Sequence, residues 1–407
     1  MRLLAVMAVL GLSFEAFAGS SYFQPLDVNA LHDKELASEK KGEAPRFAIP
    51  HKVSIKPSWE KAKSGYVWTH QVTAPNAVSL NFGFSKFNLP EGAELNIYSA
   101  DRSQFIRTFT AADNNSAKEL WSPIIMSDDV IIEVSSPAEV IDQVEIELGQ
   151  VGQGFRTFGQ STLKAGSCNV DVACSESKGW ENEVNSVGVI STGGSTFCTG
   201  FMVNNTTNDK TPYFMTEAHC RITASAAPSL VVYWNYQTSK CGGSRDGKMT
   251  DFQSGSVHLV SGTKSDFTLV KLNSQPKAEW NVKYAGWDAT DSIGSPAVAI
   301  HHPNVDEKSI SFENDPTVLS SYGGATSPGD STHVKVRDWD IGTTEPGSSG
   351  SPLFDLNHRV IGQLHGGGAA CGNDQPDFYG RLHTSWKAGL KDHLDSAKTG
   401  SMVTDTI

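Results

Sequence analysis

The sequence predicts an all-β protein in two parts, closed by a C-terminal helix. Three observations predict it. Apolar and polar residues alternate with a period of two through the first part, which is how a half-buried strand reads. Short β-branched and aromatic runs separated by turn residues recur through the second part. All six cysteines fall at or after Cys168, so only the second part can be cross-linked.

Met1 and Arg2 precede an apolar run from Leu3 to Phe14, and Ala16, Phe17 and Ala18 form a small-x-small cleavage site before Gly19. Residues 1–18 therefore read as a secretory signal peptide, and no stretch reaches the ~18 consecutive apolar residues of a membrane span. The expectation is a secreted protein, extracellular or periplasmic, with no membrane partner. From Ser20 to about Pro50 the chain is charged and poor in aromatics, with a short helix expected around Leu31 to Lys41.

Val78, Leu80, Phe82 and Phe84 then alternate with Ser79, Asn81, Gly83 and Ser85, and Val144, Ile146 and Leu148 alternate with Glu145 and Glu147. Leu95–Tyr98 and Val130–Val134 add strands, and Leu89, Pro90, Glu91 and Gly92 mark a turn, so residues 50–150 read as a small antiparallel β-sandwich. Gly149 to Gly166 is rich in Gly, Gln, Ser and Thr and reads as an exposed linker that is easily nicked.

Residues 165–407 suffice for two packed barrels. Strands are readable at Phe197–Val203, Tyr213–Thr216, Leu230–Tyr233, Phe267–Leu272 and Arg359–Leu364, and Trp386, Leu390 and Leu394 recur at helical spacing. Net charge is -12; residues 1–164 carry 15 basic and 19 acidic side chains, residues 165–407 carry 18 and 26. No basic patch exists, which argues against nucleic acid and anionic membrane as partners. The acidity of the second part suits solubility first and cationic substrates second.

Chemistry concentrates in Gly347-Ser348-Ser349-Gly350-Ser351-Pro352. A nucleophilic hydroxyl needs a tight turn that exposes it and N–H groups nearby to receive negative charge, and Gly347 and Gly350 bracket Ser349 suitably. A plain surface turn would look the same, so the partners decide. His219 closes one apolar run and Asp266 opens another. The order His219, Asp266, Ser349 matches chymotrypsin-type proteases and not α/β-hydrolases or subtilisins, and Ser351 breaks the G-x-S-x-G elbow. Ser349 is read as nucleophile, His219 as base and then acid, Asp266 as the residue that fixes the imidazole, and the N–H groups of Gly347 and Ser349 as the oxyanion hole.

The stretches TEAHC, SDFTLVKL, AIHHPN, TEPGSSGSP, GQLHGG and DFYGR, in this order, resemble bacterial lysyl endopeptidases, a secreted branch of the trypsin-like serine proteases. The resemblance implies a chymotrypsin-like double β-barrel of two six-stranded barrels. It also implies the disulfides Cys168 with Cys371, Cys174 with Cys241, and Cys198 with Cys220. It makes the sandwich a removable pro-region spanning residues 19–164, ahead of a protease domain at 165–407, whose role would be to assist folding or cover the cleft. The trypsin pocket aspartate is replaced by Thr343, and the resemblance moves the acidic group to Asp377. His365, followed by Gly366 on the substrate-pairing strand, would stack on Tyr322 where the family carries Trp.

These readings give an endopeptidase cutting protein and peptide substrates after lysine, with no cofactor and no metal. The expected partners are substrates and its own pro-region, and a monomer is the expectation. The alternatives are a protease accepting arginine as well as lysine and a catalytically silent secreted binding protein. Lys164 is the sole lysine between Lys118 and Lys178 and lies four residues before Cys168, so self-cleavage between Lys164 and Ala165 would free the sandwich without losing a disulfide. Ser348 precedes the nucleophile where trypsin keeps an aspartate, which argues against activation by terminus insertion. His301 and His302 lack ligand spacing and read as structural. Glu217 departs from the family's small residue and reads as a partly buried charge awaiting a partner.

Overall fold

The computed structural model describes residues 19–39, 43–156, 166–243 and 245–407. The expected signal peptide and the expected cleavage pair Lys164 and Ala165 lie outside the described residues. Among the described residues no helix is long and apolar enough to cross a membrane.

The alternating residues of the first part form a sandwich. One sheet runs Ala48–Ile55, Glu145–Gly154, Ser79–Asn88, Leu120–Trp121; the other runs Ser20–Tyr22, Gly65–Thr73, Asp129–Ser136, Glu94–Ser99, Phe105–Phe109, with Glu60–Ala62 on Gly65–Thr73. Trp68, Val72, Leu95 and Val134 from one sheet meet Leu80, Phe82, Phe84 and Leu148 from the other in one buried core. Ahead of it, the expected helix occupies Val28–Glu39.

The linker reading of Gly149 to Gly154 is corrected. These residues are the second half of strand Glu145–Gly154, paired on both sides. Their glycines serve close approach and not flexibility: a Cβ on Gly152 would sit 2.4 Å from Asn81 Nδ2, and one on Gly154 2.1 Å from Ser79 Oγ.

The second part holds two curled sheets, the chymotrypsin-like double β-barrel. The first is antiparallel, in the order Phe252–Ser254, Val231–Tyr233, Val187–Thr192, Thr196–Met202, Tyr213–Glu217, Phe267–Leu272, Ser256–Gly262. The second carries Ser309–Glu313, Ala297–His301, Pro352–Phe354, Val360–Gly367, Asp377–Arg381, His333–Val336 and Val318–Ser320 as neighbours. Among the described residues the sheets have 7 and 10 strands in place of the expected six each, and short pieces such as Val170–Asp171, Trp287–Asp288 and Val403–Thr404 extend the second one. The C-terminal segment 382–394 is helical, with a widened π-type turn over Trp386–Leu390 that accommodates Gly389 at φ 118. Trp386, Leu390 and Leu394 are buried, and the Trp386 ring lies 4.8 Å from that of Trp287.

Disulfides join Cys168 to Cys371, Cys174 to Cys241 and Cys198 to Cys220. The sandwich does not hang from a tether. The outer face of its four-stranded sheet packs on the first barrel, so that Val189, Phe197, Val231, Tyr233 and Phe252 belong to the same core as the sandwich interior. Residues 45–47 lie antiparallel along the turn after Val187–Thr192, with Phe47 N donating to Ser195 O and Phe197 N to Pro45 O, both at 2.9 Å. This docking explains why strand Ser79–Asn88 is buried on both faces over its first six residues.

Candidate active site

Strand Tyr213–Glu217 delivers His219 and strand Phe267–Leu272 delivers Asp266, and the two strands pair so that Glu217 lies opposite Phe267. Asp266 is held at φ 49, a left-handed conformation that Asp tolerates better than most residues. Ala218 N donates to Asp266 O at 3.0 Å and Gln363 Nε2 to Ser265 O at 2.5 Å, which lock this corner. His219 Nδ1 then meets Asp266 Oδ2 at 2.6 Å, and His219 N donates to Asp266 Oδ1 at 3.1 Å. Burial pushes the Asp266 carboxyl up, but the bond from His219 and the charges of His219 and His365 outweigh it and hold the group below its ordinary value.

Ser349 sits half-buried on the turn before strand Pro352–Phe354. The turn crosses into the first barrel through Thr199, whose N–H donates to Ser349 O at 2.8 Å and whose hydroxyl donates to Gly347 O at 2.8 Å. Gly350 is required there: its φ is 85, and a Cβ would lie 2.2 Å from Thr216 Oγ1. Among the described residues the N–H groups of Gly347 and Ser349 donate to no protein acceptor, so both are available to a developing oxyanion.

Two supports of this turn were not foreseen. His301, expected to be structural without a named partner, binds Ser348 Oγ through Nδ1 at 2.8 Å and Ser311 Oγ through Nε2 at 3.0 Å. Burial pushes it down to about 3, so it is a neutral strut. His302 binds Asp306 O and stacks on Tyr236.

Asp377 lies at the start of strand Asp377–Arg381, 1% exposed. Its Oδ2 accepts from Trp339 Nε1 at 2.8 Å and Thr344 Oγ1 at 2.5 Å, and Gly367 pairs with it across the sheet. Desolvation raises its pKa, against the pull of these donors. Thr343, at the trypsin aspartate position, is buried one residue from Thr344. The pairing of the two strands shifts register at His365, a bulge that re-aims its ring. Tyr322 stacks on His365, with ring centres 3.6 Å apart and planes within 8°. His365 Nε2 lies 3.3 Å from Asp266 Oδ2, and its Nδ1 meets His333 Nε2 at 2.9 Å. His333 escaped sequence reasoning, for no local signal ties it to a residue 32 positions away. Gly366, at φ 145, lies under the Tyr322 hydroxyl.

Glu217 is fully buried, not partly exposed as expected, and its partner is His219 itself: Oε1 lies 2.7 Å from Nε2. Ser349 therefore does not hold Nε2 in this structure. The sulfurs of Cys198 and Cys220 beside Glu217 are bonded to one another and offer no thiolate to a metal. His219, Asp266 and His365 bring three donor atoms close together, two of them engaged with each other at 2.6 Å.

The family description "Lysyl endopeptidase, C-terminal domain" matches residues 162–380, and "Lysyl endopeptidase N-terminal domain" matches residues 26–152. A curated lysyl endopeptidase of Pseudomonas aeruginosa is 30% identical over 75% of this chain, and the chain spans 65% of that relative's length. Among solved structures, the chain is similar to the Rv3671c protease of M. tuberculosis in its active form, at 16% identity over 59% of this chain and 94% of that one with TM-score 0.35. It is likewise similar to the HtrA-type protease AlgW with tripeptide, at 15% identity over 55% and 65% with TM-score 0.37. With more than half of its length matched by the C-terminal description alone, and the sandwich matched by the N-terminal one, the chain belongs to the lysyl endopeptidase family.

Proposed function

We propose that the protein is a secreted serine endopeptidase that cuts on the carboxyl side of lysine and is made as a self-processing precursor. The observation that carries this reading is the 2.6 Å pairing of His219 with Asp266 beside the Gly347–Gly350 turn, whose Gly347 and Ser349 N–H groups donate to no acceptor among the described residues; the buried Asp377 carboxylate supports a cationic P1 residue.

In the working state Ser349 Oγ attacks the scissile carbonyl carbon as its proton passes to His219 Nε2. The N–H groups of Gly347 and Ser349 receive the oxyanion, each worth about 10²- to 10³-fold in rate. Collapse breaks the C–N bond and His219 returns the proton to the leaving amine; water then repeats the sequence on the acyl-enzyme. Asp266 keeps the proton on Nδ1 throughout. Asp377 is poised for the substrate ammonium, because the donors that reach it, the Trp339 and Thr344 side chains and the Ala369 backbone, are all neutral. The pro-region 19–164 and protease domain 165–407 separate by a cut between Lys164 and Ala165, and the docking of the sandwich on the first barrel supports the reading of the pro-region as a partner of that barrel.

Ser349→Ala tests the mechanism: peptide hydrolysis should vanish while the melting temperature stays unchanged. The Ser349→Ala precursor should accumulate uncut and be trimmed to begin at Ala165 by added active enzyme. Paired peptides differing only in Lys or Arg at P1 test specificity, and equal kcat/KM for the two would replace the lysine reading by a broadly basic one.

A further inference from the structure

One buried carboxylate in the cleft takes no part in the scheme above. Glu217 ends strand Tyr213–Glu217 with its side chain pressed on the Cys198–Cys220 disulfide, Oε1 being 3.2 Å from Cys220 Sγ and 3.7 Å from Cys198 Sγ. The same oxygen lies 2.7 Å from His219 Nε2. Oε2 is buried and makes no hydrogen bond of ordinary geometry, although the nearby Ser349 hydroxyl favours the carboxylate charge.

The proton count follows from these distances. Asp266 faces Nδ1 at 2.6 Å and Glu217 faces Nε2 at 2.7 Å, and each contact needs a proton between its atoms. A neutral imidazole brings only one. The assembly therefore holds one proton more than a working triad, either as imidazolium beside two carboxylates or as neutral imidazole beside a carboxylic acid. In both forms the extra proton occupies the line from Nε2 to Oε1, where Nε2 cannot receive the proton of Ser349.

We propose that Glu217 competes with Ser349 for the catalytic imidazole, holding an extra proton on Nε2 and withholding His219 from catalysis until that proton is released. This rests on the serine endopeptidase reading. Release sends the proton to water or hydroxide; the Glu217 carboxylate then faces a lone pair, the contact opens, and the Ser349 hydroxyl donates to Nε2.

The surroundings agree. Burial opposes the His219 cation, yet the charge of Glu217 and the bonds to Asp266 and Glu217 push its pKa up to about 10. Burial pushes Glu217 up to about 8, with His219 pulling the other way and Asp266 adding to the rise. The groups that face this pair are Asp266, His365 on the substrate-pairing strand and, behind it, His333; burial drives His365 down to about 4 and lowers His333, so neither supplies a competing cation. Tyr322 covers His365 from the remaining side.

The test compares kcat/KM from about pH 5 to pH 10 for the mature enzyme, Glu217→Ala and Glu217→Gln, because the acid limb of this profile reports the free enzyme's base. The rate at which a sulfonyl fluoride modifies Ser349 is followed over the same range, and thermal melts check the fold. The wild-type limb should lie well above neutrality. Both substitutions should lower it, by roughly one pH unit or more, and each unit gives about tenfold more activity below the limb. Glu217→Ala should gain more, since Gln still occupies Nε2. A limb unchanged in both variants, or a loss of activity with the limb in place, overturns the proposal. Should neither variant fold, sulfonylation of the wild type decides, for a limb near neutrality there refutes it. Turnover surviving Ser349→Ala would instead overturn the endopeptidase reading itself.

Discussion

Beyond the Asp266 that holds His219, two buried carboxylates differ in what they meet. Glu217, on the first barrel, is 0% exposed and meets the His219 imidazole of its own chain; Asp377, on the second, is 1% exposed and meets neutral donors, the Trp339 and Thr344 side chains and the Ala369 backbone. Burying a charge is costly unless it is paired, so each arrangement implies where the missing charge comes from. At Glu217 the protein supplies it, at the expense of a free base. At Asp377, on the proposed function, the substrate supplies it, and selectivity rests on that dependence. On the proposed function, a carboxylate satisfied from within acts as a brake and one left unmatched as a recognition site.

Asp377→Asn breaks the comparison most sharply. A lysine ammonium about 4 Å away gains ~4 kcal/mol at an effective dielectric near 20, before desolvation is subtracted. Losing it should lower kcat/KM for lysyl peptides by about 10²- to 10³-fold while an uncharged P1 residue loses little. Equal losses for both would make Asp377 a structural residue. The pH dependence has a definite sign: burial raises Asp377, so kcat/KM for lysyl substrates should fall as pH drops through a value above the ordinary carboxylate range, and that limb should be absent for uncharged P1.

His301→Ala should have a smaller effect, since it removes a support of the turn and no reacting group. Ser348 Oγ loses its 2.8 Å partner, which costs about 1–3 kcal/mol of stability and should lower kcat roughly tenfold with KM nearly constant. A change confined to KM would show that His301 shapes the pocket instead of the oxyanion turn.

What the sequence disclosed divides along physical lines. The residues read as the triad sit in local motifs whose chain order is informative, and the strands around them carry their own periodicity. Gly149 to Gly154 misled because glycine serves both mobility and close approach, and only the position of Asn81 and Ser79 across the sheet separates the two. The double burial of Ser79–Asn88 was hidden because its second face is covered by a different domain. The bond from His301 to Ser348 spans 47 residues and leaves no local trace. Glu217 reads as a charge awaiting a partner, and its spacing of two from His219 is the signal that could have named that partner, although the strand ends at Glu217 and the turn beyond it fixes the contact.

That pair also sets the smallest effect expected. His219 is raised to about 10 and Glu217 to about 8, whereas unfolded His and Glu titrate near ~6.5 and ~4.3. Groups raised by folding contribute stability that is complete below the unfolded value and lost as pH rises through the folded one. Between about pH 7 and pH 9 the native pair therefore holds one proton that the unfolded chain has released, and stability should fall as pH rises, by at most ~1.4 kcal/mol per unit. Asp266 is depressed, so its contribution is lost only at acid pH and leaves this window untouched. Melting curves on the Ser349→Ala protein avoid self-digestion, and adding Glu217→Ala should flatten the slope, since it removes one raised group and releases the other. Parallel slopes in the single and double variants would mean that the extra proton is not held between Glu217 and His219, and the contrast between the two carboxylates would then reduce to a difference in burial.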